Sequence, residues 1–305
     1  MTMTAMNTVN TTKERTLKLV SSDGEIVGEF NPDTQYIRNR KQDDFMKQNE
    51  KAKKEFEEFN KDAGKFIWSY PEKIRQLIKS EEFTKSDITM IFYLATFVNS
   101  AGYLSHDNGV KFSKKDIQEK LEISRNAFSK FFNKLIDHKI LIPSGKNFMW
   151  NDEYNFYGST KGKASPTMLV RSYVNQIRYL YEAKNRKGKK LYSAIKLYPV
   201  FALIPYLHHS TNIICKNPDV KNIEDIEYFN IKEIAELLDL NQTKKVSSGL
   251  SSLLLNGQTV FVKVECRNET YLKLNPRIFW RGTVAPDKKL VAEFDMIDNN
   301  RKKWK

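Results

Sequence analysis

Six side chains on one short stretch have the chemistry to read and grip a nucleic acid. Ser124, Arg125, Asn126, Ser129, Lys130 and Asn133 fall on the face of a predicted helix left free by Phe128, Phe131, Phe132, Leu135 and Ile136. Arg pairs bidentately with guanine and Asn with adenine, while Lys and Ser hold phosphate or a base edge. A second set, Gln242, Thr243, Lys244, Lys245 and Ser248, with Ser251 beside it, occupies the matching place on a later helix. It lacks Arg but keeps Gln and two Lys, which predicts binding with less base discrimination. Taken singly, each of these residues is as well explained by a solvated helix face.

The cations between the two sets are distributed unevenly. The net charge is +14, and residues 161–196 alone carry ten basic side chains against Glu182, a net +9. Arg171 and Arg178 are predicted to point outward from a helix. Lys184, Arg186, Lys187, Lys189 and Lys190 follow around Gly188, five cations in seven residues. Such a run tracks phosphates and supplies salt-sensitive affinity rather than specificity. Two predicted hairpin tips, Gly145-Lys146-Asn147 and Arg267-Asn268, offer further phosphate or minor-groove contacts.

Other chemistries find little support. Gly158 and Gly162 are separated by three residues where a phosphate loop needs four, and Ala164 follows Lys163. The histidines, His106, His138, His208 and His209, form no His-x-His site, and Cys215 and Cys266 lie far apart. Asp116, Glu119, Glu233 and Glu236 sit where they would cap and solvate helices. A protein without enzymatic activity, metal or cofactor is expected, a metal site assembled from distant residues being the one catalytic route left open.

The elements that must position these residues follow from pattern. Residues 1–63 read as a β-hairpin, Thr16–Val20 and Glu25–Phe30 around Asp23-Gly24, followed by a charged helix from Gln35 to Asn60 that would serve a homodimer. Pro71 opens a short helix and Thr84 caps the next. Ser113 caps Lys114 to Leu121, Glu122-Ile123 turns, and Ser124 caps Arg125 to about His138. Two strands, Ile140–Ile142 and Phe148–Trp150, close the set. This order predicts a winged helix-turn-helix over residues 64–160, whose second helix lies in the major groove.

The pattern recurs 117 residues later. Phe112-Ser113, Ile117 and Leu121-Glu122-Ile123-Ser124 match Phe229-Asn230, Ile234 and Leu238-Asp239-Leu240-Asn241. Both copies share an ending with Asn seven residues before Gly, Asn151 to Gly158 and Asn275 to Gly282. A second winged helix is therefore predicted over 197–284, with 161–196 as a basic linker and helix and 285–305 as a tail. The expected fold is mainly α with small β wings, in the α+β class. Two helical hairpins sharing core spacing would mimic the repeat but not its ending.

Composition sets the outer bounds. Hydrophobic residues at 40% exclude a disordered chain. Two cysteines, a polar Thr-rich start and no apolar run longer than Leu197–Leu207 predict a cytoplasmic protein without disulfides, secretory signal or membrane partner.

The pattern over Phe112–Trp150 and the ending Leu274-Asn275-Pro276-Arg277-Ile278-Phe279-Trp280-Arg281-Gly282 resemble plasmid and phage replication initiators of Gram-positive bacteria, including the small RepL-like proteins. The doubled plan is similar to that of iteron-binding initiators. The resemblance covers roughly residues 64–284 as pattern, and Asn151 lacks the following Pro. It implies two domains gripping successive segments of double-stranded DNA in an origin and recruiting host replication proteins. The alternative is a transcriptional regulator that uses the same surfaces and meets RNA polymerase. Winged helices also serve as protein-binding modules.

Overall fold

The computed structural model describes residues 4–7, 16–32, 40–240, 243–266 and 269–302. It is a mixture of helix and sheet and divides into two compact units, residues 1–54 and 55–305.

In the first unit, β2 (Leu17–Val20) and β3 (Ile26–Phe30) form the expected hairpin, and β1 (Thr4–Asn7) pairs antiparallel with β2 to make a third strand. Gly24 takes φ +83° in the tight turn and donates its N–H to the Ser21 carbonyl at 3.0 Å. The long helix α1 (Arg40–Ala63) starts in this unit and is almost wholly exposed over its first turns, as its mixed charge requires.

The second unit holds two halves built in the same order. The first runs β4 (Phe66–Ser69), α2 (Pro71–Lys79), α3 (Lys85–Ala95), α4 (Lys114–Leu121), α5 (Arg125–Asp137), β5 (Leu141–Ser144), β6 (Asn147–Trp150) and β7 (Asn155–Phe156). The second runs β8 (Val170–Tyr173), α6 (Val174–Glu182), α7 (Ala194–Ala202), α8 (Ile231–Leu237) and α9 (Thr243–Ser251). It continues with a small hairpin, β9 (Leu254–Leu255) and β10 (Gln258–Thr259). A longer hairpin follows, β11 (Phe261–Cys266) and β12 (Glu269–Leu274), and then β13 (Phe279–Trp280). The last described element is α10 (Lys288–Lys302).

Two expectations change here. Residues 161–196 are not a linker: β8 is a central strand of the sheet β13-β8-β4-β7, all four of its residues are buried, and α6 buries Ile177, Leu180 and Tyr181. Nor is the expected tail a separate segment over its described residues, because α10 packs buried Leu290 and Phe294 beside Tyr173, Val262 and Trp280, with Phe56 and Phe59 against the cluster. Apolar side chains of this size stay together because each gives up roughly 1.5–3 kcal/mol when returned to water.

Register shows how the halves meet. Trp68 lies opposite Phe156 and Arg171 opposite Trp280, so Trp68 and Arg171 hold corresponding places. They are also partners of each other, flanked by Ile67 with Ser172 and Ser69 with Val170. A pair that corresponds to itself marks a local two-fold axis. The helices agree: counting from the caps Thr84 and Ser193, Phe92 corresponds to Phe201, and these two rings stack with centroids 4.9 Å apart. One hydrophobic core runs continuously from Ile67 to Phe279 through both halves.

The shared endings are built alike. Asn151 donates its side-chain amide to the Lys139 carbonyl (3.0 Å) and accepts from Glu153 N (3.0 Å). Asn275 does the same with the Thr259 carbonyl (3.1 Å) and Arg277 N (3.0 Å). The closing glycines differ in reason. Gly158 takes φ +102°, whereas any Cβ on Gly282 would strike the Trp280 ring.

Candidate nucleic-acid interface

The helix pairs α4–α5 and α8–α9 arise from matched caps. Ser113 and Asp116 form a capping box at the start of α4, and Asn230 with Glu233 forms one at the start of α8. The Ser113 hydroxyl and N–H hold the Asp116 carboxyl below its usual range. Lys216 and the Asn230 N–H do the same for Glu233. Each first helix ends at an acidic residue in the left-handed region, Glu122 at φ +53° and Asp239 at φ +49°. The reversal is completed in the first half by Ser124, which caps α5 by accepting from Ala127 N at 3.4 Å.

On α5 the apolar spacing does what it predicts. Phe128, Phe131, Phe132 and Leu135 are buried and Ile136 is partly buried. Ser124, Arg125, Asn126, Ser129, Lys130 and Asn133 are all exposed. None of Arg125, Asn126, Lys130 and Asn133 has a hydrogen-bond or ion-pair partner among the described residues. Lys146 is exposed and Asn147 partly exposed at the Gly145 turn between β5 and β6.

On α9, Val246 and Leu250 face the core while Ser248 and Ser251 are exposed. The backbone puts Thr243, Lys244 and Lys245 in the first turn of that helix. Gln242 and Arg267 lie outside the described residues.

Four of the cations expected to face a ligand have other work. Arg171 is 8% exposed, donates to the Gly282 carbonyl, and lies 4.3 Å from the Phe56 ring and 4.4 Å from Trp68. Burial lowers its pKa to about 10. Its predicted outward place rests on 170–181 reading as one amphipathic helix; Val170–Tyr173 is instead a strand buried on both faces. Arg178 is turned inward by Thr96 and Asp107, donating to the Thr96 carbonyl (2.8 Å) and the Asp107 carboxylate (2.9 Å). Lys184 donates to Glu122 at 3.0 Å, and Lys190 donates to the Leu121 carbonyl at 3.3 Å while lying 3.8 Å from the Tyr181 ring centroid. Arg186, Lys187 and Lys189 remain exposed at the tip of a hairpin whose ends meet at Lys184 and Lys190. Asn185 closes that tip by accepting from Lys187 N and Lys189 N.

The structure thus brings the basic hairpin to the α4–α5 turn. Tyr181 adds a third contact there, its hydroxyl donating to the Leu121 carbonyl at 3.0 Å. The other half has a counterpart, since Lys85 donates to the Asp239 carbonyl at 2.6 Å and to its carboxylate at 3.1 Å. Each turn is therefore held by the opposite half. Sequence reasoning did not find Tyr181 or Lys85. The available signal was that Ile67-Trp68-Ser69-Tyr70 parallels Val170-Arg171-Ser172-Tyr173, so the repeat starts well before Phe112.

Among the described residues no three His, Cys, Asp or Glu side chains converge as metal ligands. His208 is buried, its Nε2 bonding the Val220 carbonyl at 2.9 Å and its Nδ1 lying 3.0 Å from the Thr211 hydroxyl. Cys215 is a buried free thiol pushed up to about 12 by burial. No helix among the described residues is long and apolar enough to cross a membrane. No protein-family model matches the chain, and neither a curated protein nor a solved structure matches it.

Proposed function

We propose that the protein is a sequence-specific double-stranded DNA-binding protein whose halves are two winged helices, acting at a plasmid or phage replication origin. The observation that carries the DNA reading is the outward face of α5. Its Arg, Lys and Asn side chains are exposed and have no hydrogen-bond or ion-pair partner among the described residues, and the Arg186–Lys189 tip is fastened to the turn that leads into it. Side chains without internal partners at a helix start offer base contacts, and the hairpin offers phosphate contacts. The second helix pair, α8 and α9, would set register on the adjoining groove. Origin function rests on the resemblance of Phe112–Trp150 and Leu274–Gly282 to replication initiators.

The local two-fold gives the reading a geometric consequence. One copy presents its two helix pairs in inverted orientation, so each site should have imperfect inverted symmetry. The test is a footprint of the purified protein on the DNA flanking its gene. Several sites in direct array, with autonomous replication of a plasmid carrying gene and flank, support an initiator. One site over a promoter, without replication, supports a regulator. No footprint at low salt overturns DNA binding.

A further inference from the structure

The two-fold relates places that are unequally filled. On one side Tyr93 of α3 stacks on Tyr181 of α6, centroids 3.9 Å apart, and donates its hydroxyl to Glu182. Counting from the caps Thr84 and Ser193, Ala202 corresponds to Tyr93. Counting from Tyr70 and Tyr173, Ile78 corresponds to Tyr181 and Lys79 to Glu182. Two rings and a carboxylate are replaced by Ala, Ile and Lys. The space the rings would fill is a cleft of about 430 Å³ bordered by Ile78, Lys79, Ala202, Tyr198, Leu237 and Asp239.

We propose that this cleft binds a planar aromatic ligand bearing an anionic group. The volume is that of a small-molecule site. The ring takes the place occupied on the other side by the stacked tyrosines, against Ile78, Ala202 and Tyr198. The anion meets Lys79, which is exposed and has no ion-pair partner among the described residues. The sign is reversed relative to the other side, where the aromatic group is a hydroxyl donor and its partner a carboxylate. The cleft also touches Leu237 and Asp239, the end of α8 and the turn before α9. An occupant would bias the setting of α9, a consequence that rests on the DNA-binding reading; the binding itself does not.

The experiment is a calorimetric titration of the intact protein, without DNA, using indole-3-carboxylate and neutral indole as probes. Saturable binding of the carboxylate is expected. Lys79→Gln should weaken the carboxylate by about tenfold, the scale of one charge-assisted hydrogen bond, and leave indole unchanged. Ala202→Tyr, which restores the ring present on the opposite side, should abolish binding of both. If that variant does not fold, Ile78→Tyr makes the same test from α2. Absence of saturation at millimolar probe, or unaltered binding to a folded filled-cleft variant, overturns the site. Indole binding more tightly than its carboxylate overturns the anionic assignment. Failure of the footprint while the titration succeeds removes only the DNA reading.

Discussion

Trp68 and Arg171 correspond to each other, face each other across the central strand pair, and do the same job in opposite halves. Trp68 donates its indole N–H to the Gly158 carbonyl at 3.1 Å, and Arg171 donates its guanidinium to the Gly282 carbonyl. The glycine that ends each half is thereby tied to the strand that begins it. The Arg171 carbon at the centre of the guanidinium lies 4.4 Å from the Trp68 ring centroid, so one cation serves both sides of the axis.

Arg171→Ala should consequently act on stability. It leaves a buried carbonyl unpaired and a void among Phe56, Phe66 and Trp68, a loss of about 2–4 kcal/mol. Denaturant unfolding measures it. A variant of wild-type stability with weakened DNA affinity would instead return Arg171 to the surface role its sequence context predicts.

Arg125→Ala should leave stability unchanged, because the side chain is exposed and has no hydrogen-bond or ion-pair partner among the described residues. On the preferred site it should cost about 1–3 kcal/mol and relax discrimination at one base pair. Competition binding against single-base variants of the footprint checks this. Equal losses on every sequence would make it a phosphate contact.

Neutralising Arg186, Lys187 and Lys189 should weaken all DNA alike and reduce the slope of log affinity against log salt by about 0.9 per phosphate lost. Neutralising Lys184 and Lys190 should behave differently, since both are spent on the α4–α5 turn. Those variants should show a lower unfolding midpoint. An unchanged salt slope in the triple variant removes the hairpin tip from the interface.

Local signals in the chain were legible wherever one residue type has one use. Ser113, Ser124 and Asn230 cap the helices their neighbours predict, and the Phe128–Phe131–Phe132–Leu135 spacing faces the core. The central sheet was hidden because Phe66–Ser69 and Val170–Tyr173 are short strands buried on both faces, without the alternation that marks a half-exposed strand. Without a sign of β8, 161–196 reads as a linker and Arg171 as outward. The charge of that segment likewise reads as free surface. Asp107 and Glu122, which pair with Arg178 and Lys184, are distant in sequence and give no local sign.

Acid should loosen the fold through His208. The Val220 carbonyl can only accept, so Nε2 carries the proton and Nδ1 accepts from the Thr211 hydroxyl. Burial lowers the pKa of His208 below its ordinary 6.5, and nearby Arg281 lowers it further, against the pull of the Val220 carbonyl. His209 shifts the same way through burial and the neighbouring His208 and Arg281. Below that ordinary value the unfolded chain takes up protons that the folded chain refuses. Stability is therefore complete above about pH 6.5 and declines as the pH falls below it. Asp116 and Glu233 add their own loss only further down, where carboxylates protonate. Unfolding midpoints measured from pH 8 to pH 5 should fall, and His208→Gln should start lower but flatten part of that decline. A midpoint that stays level across this window would show that the ring is protonated equally in both states.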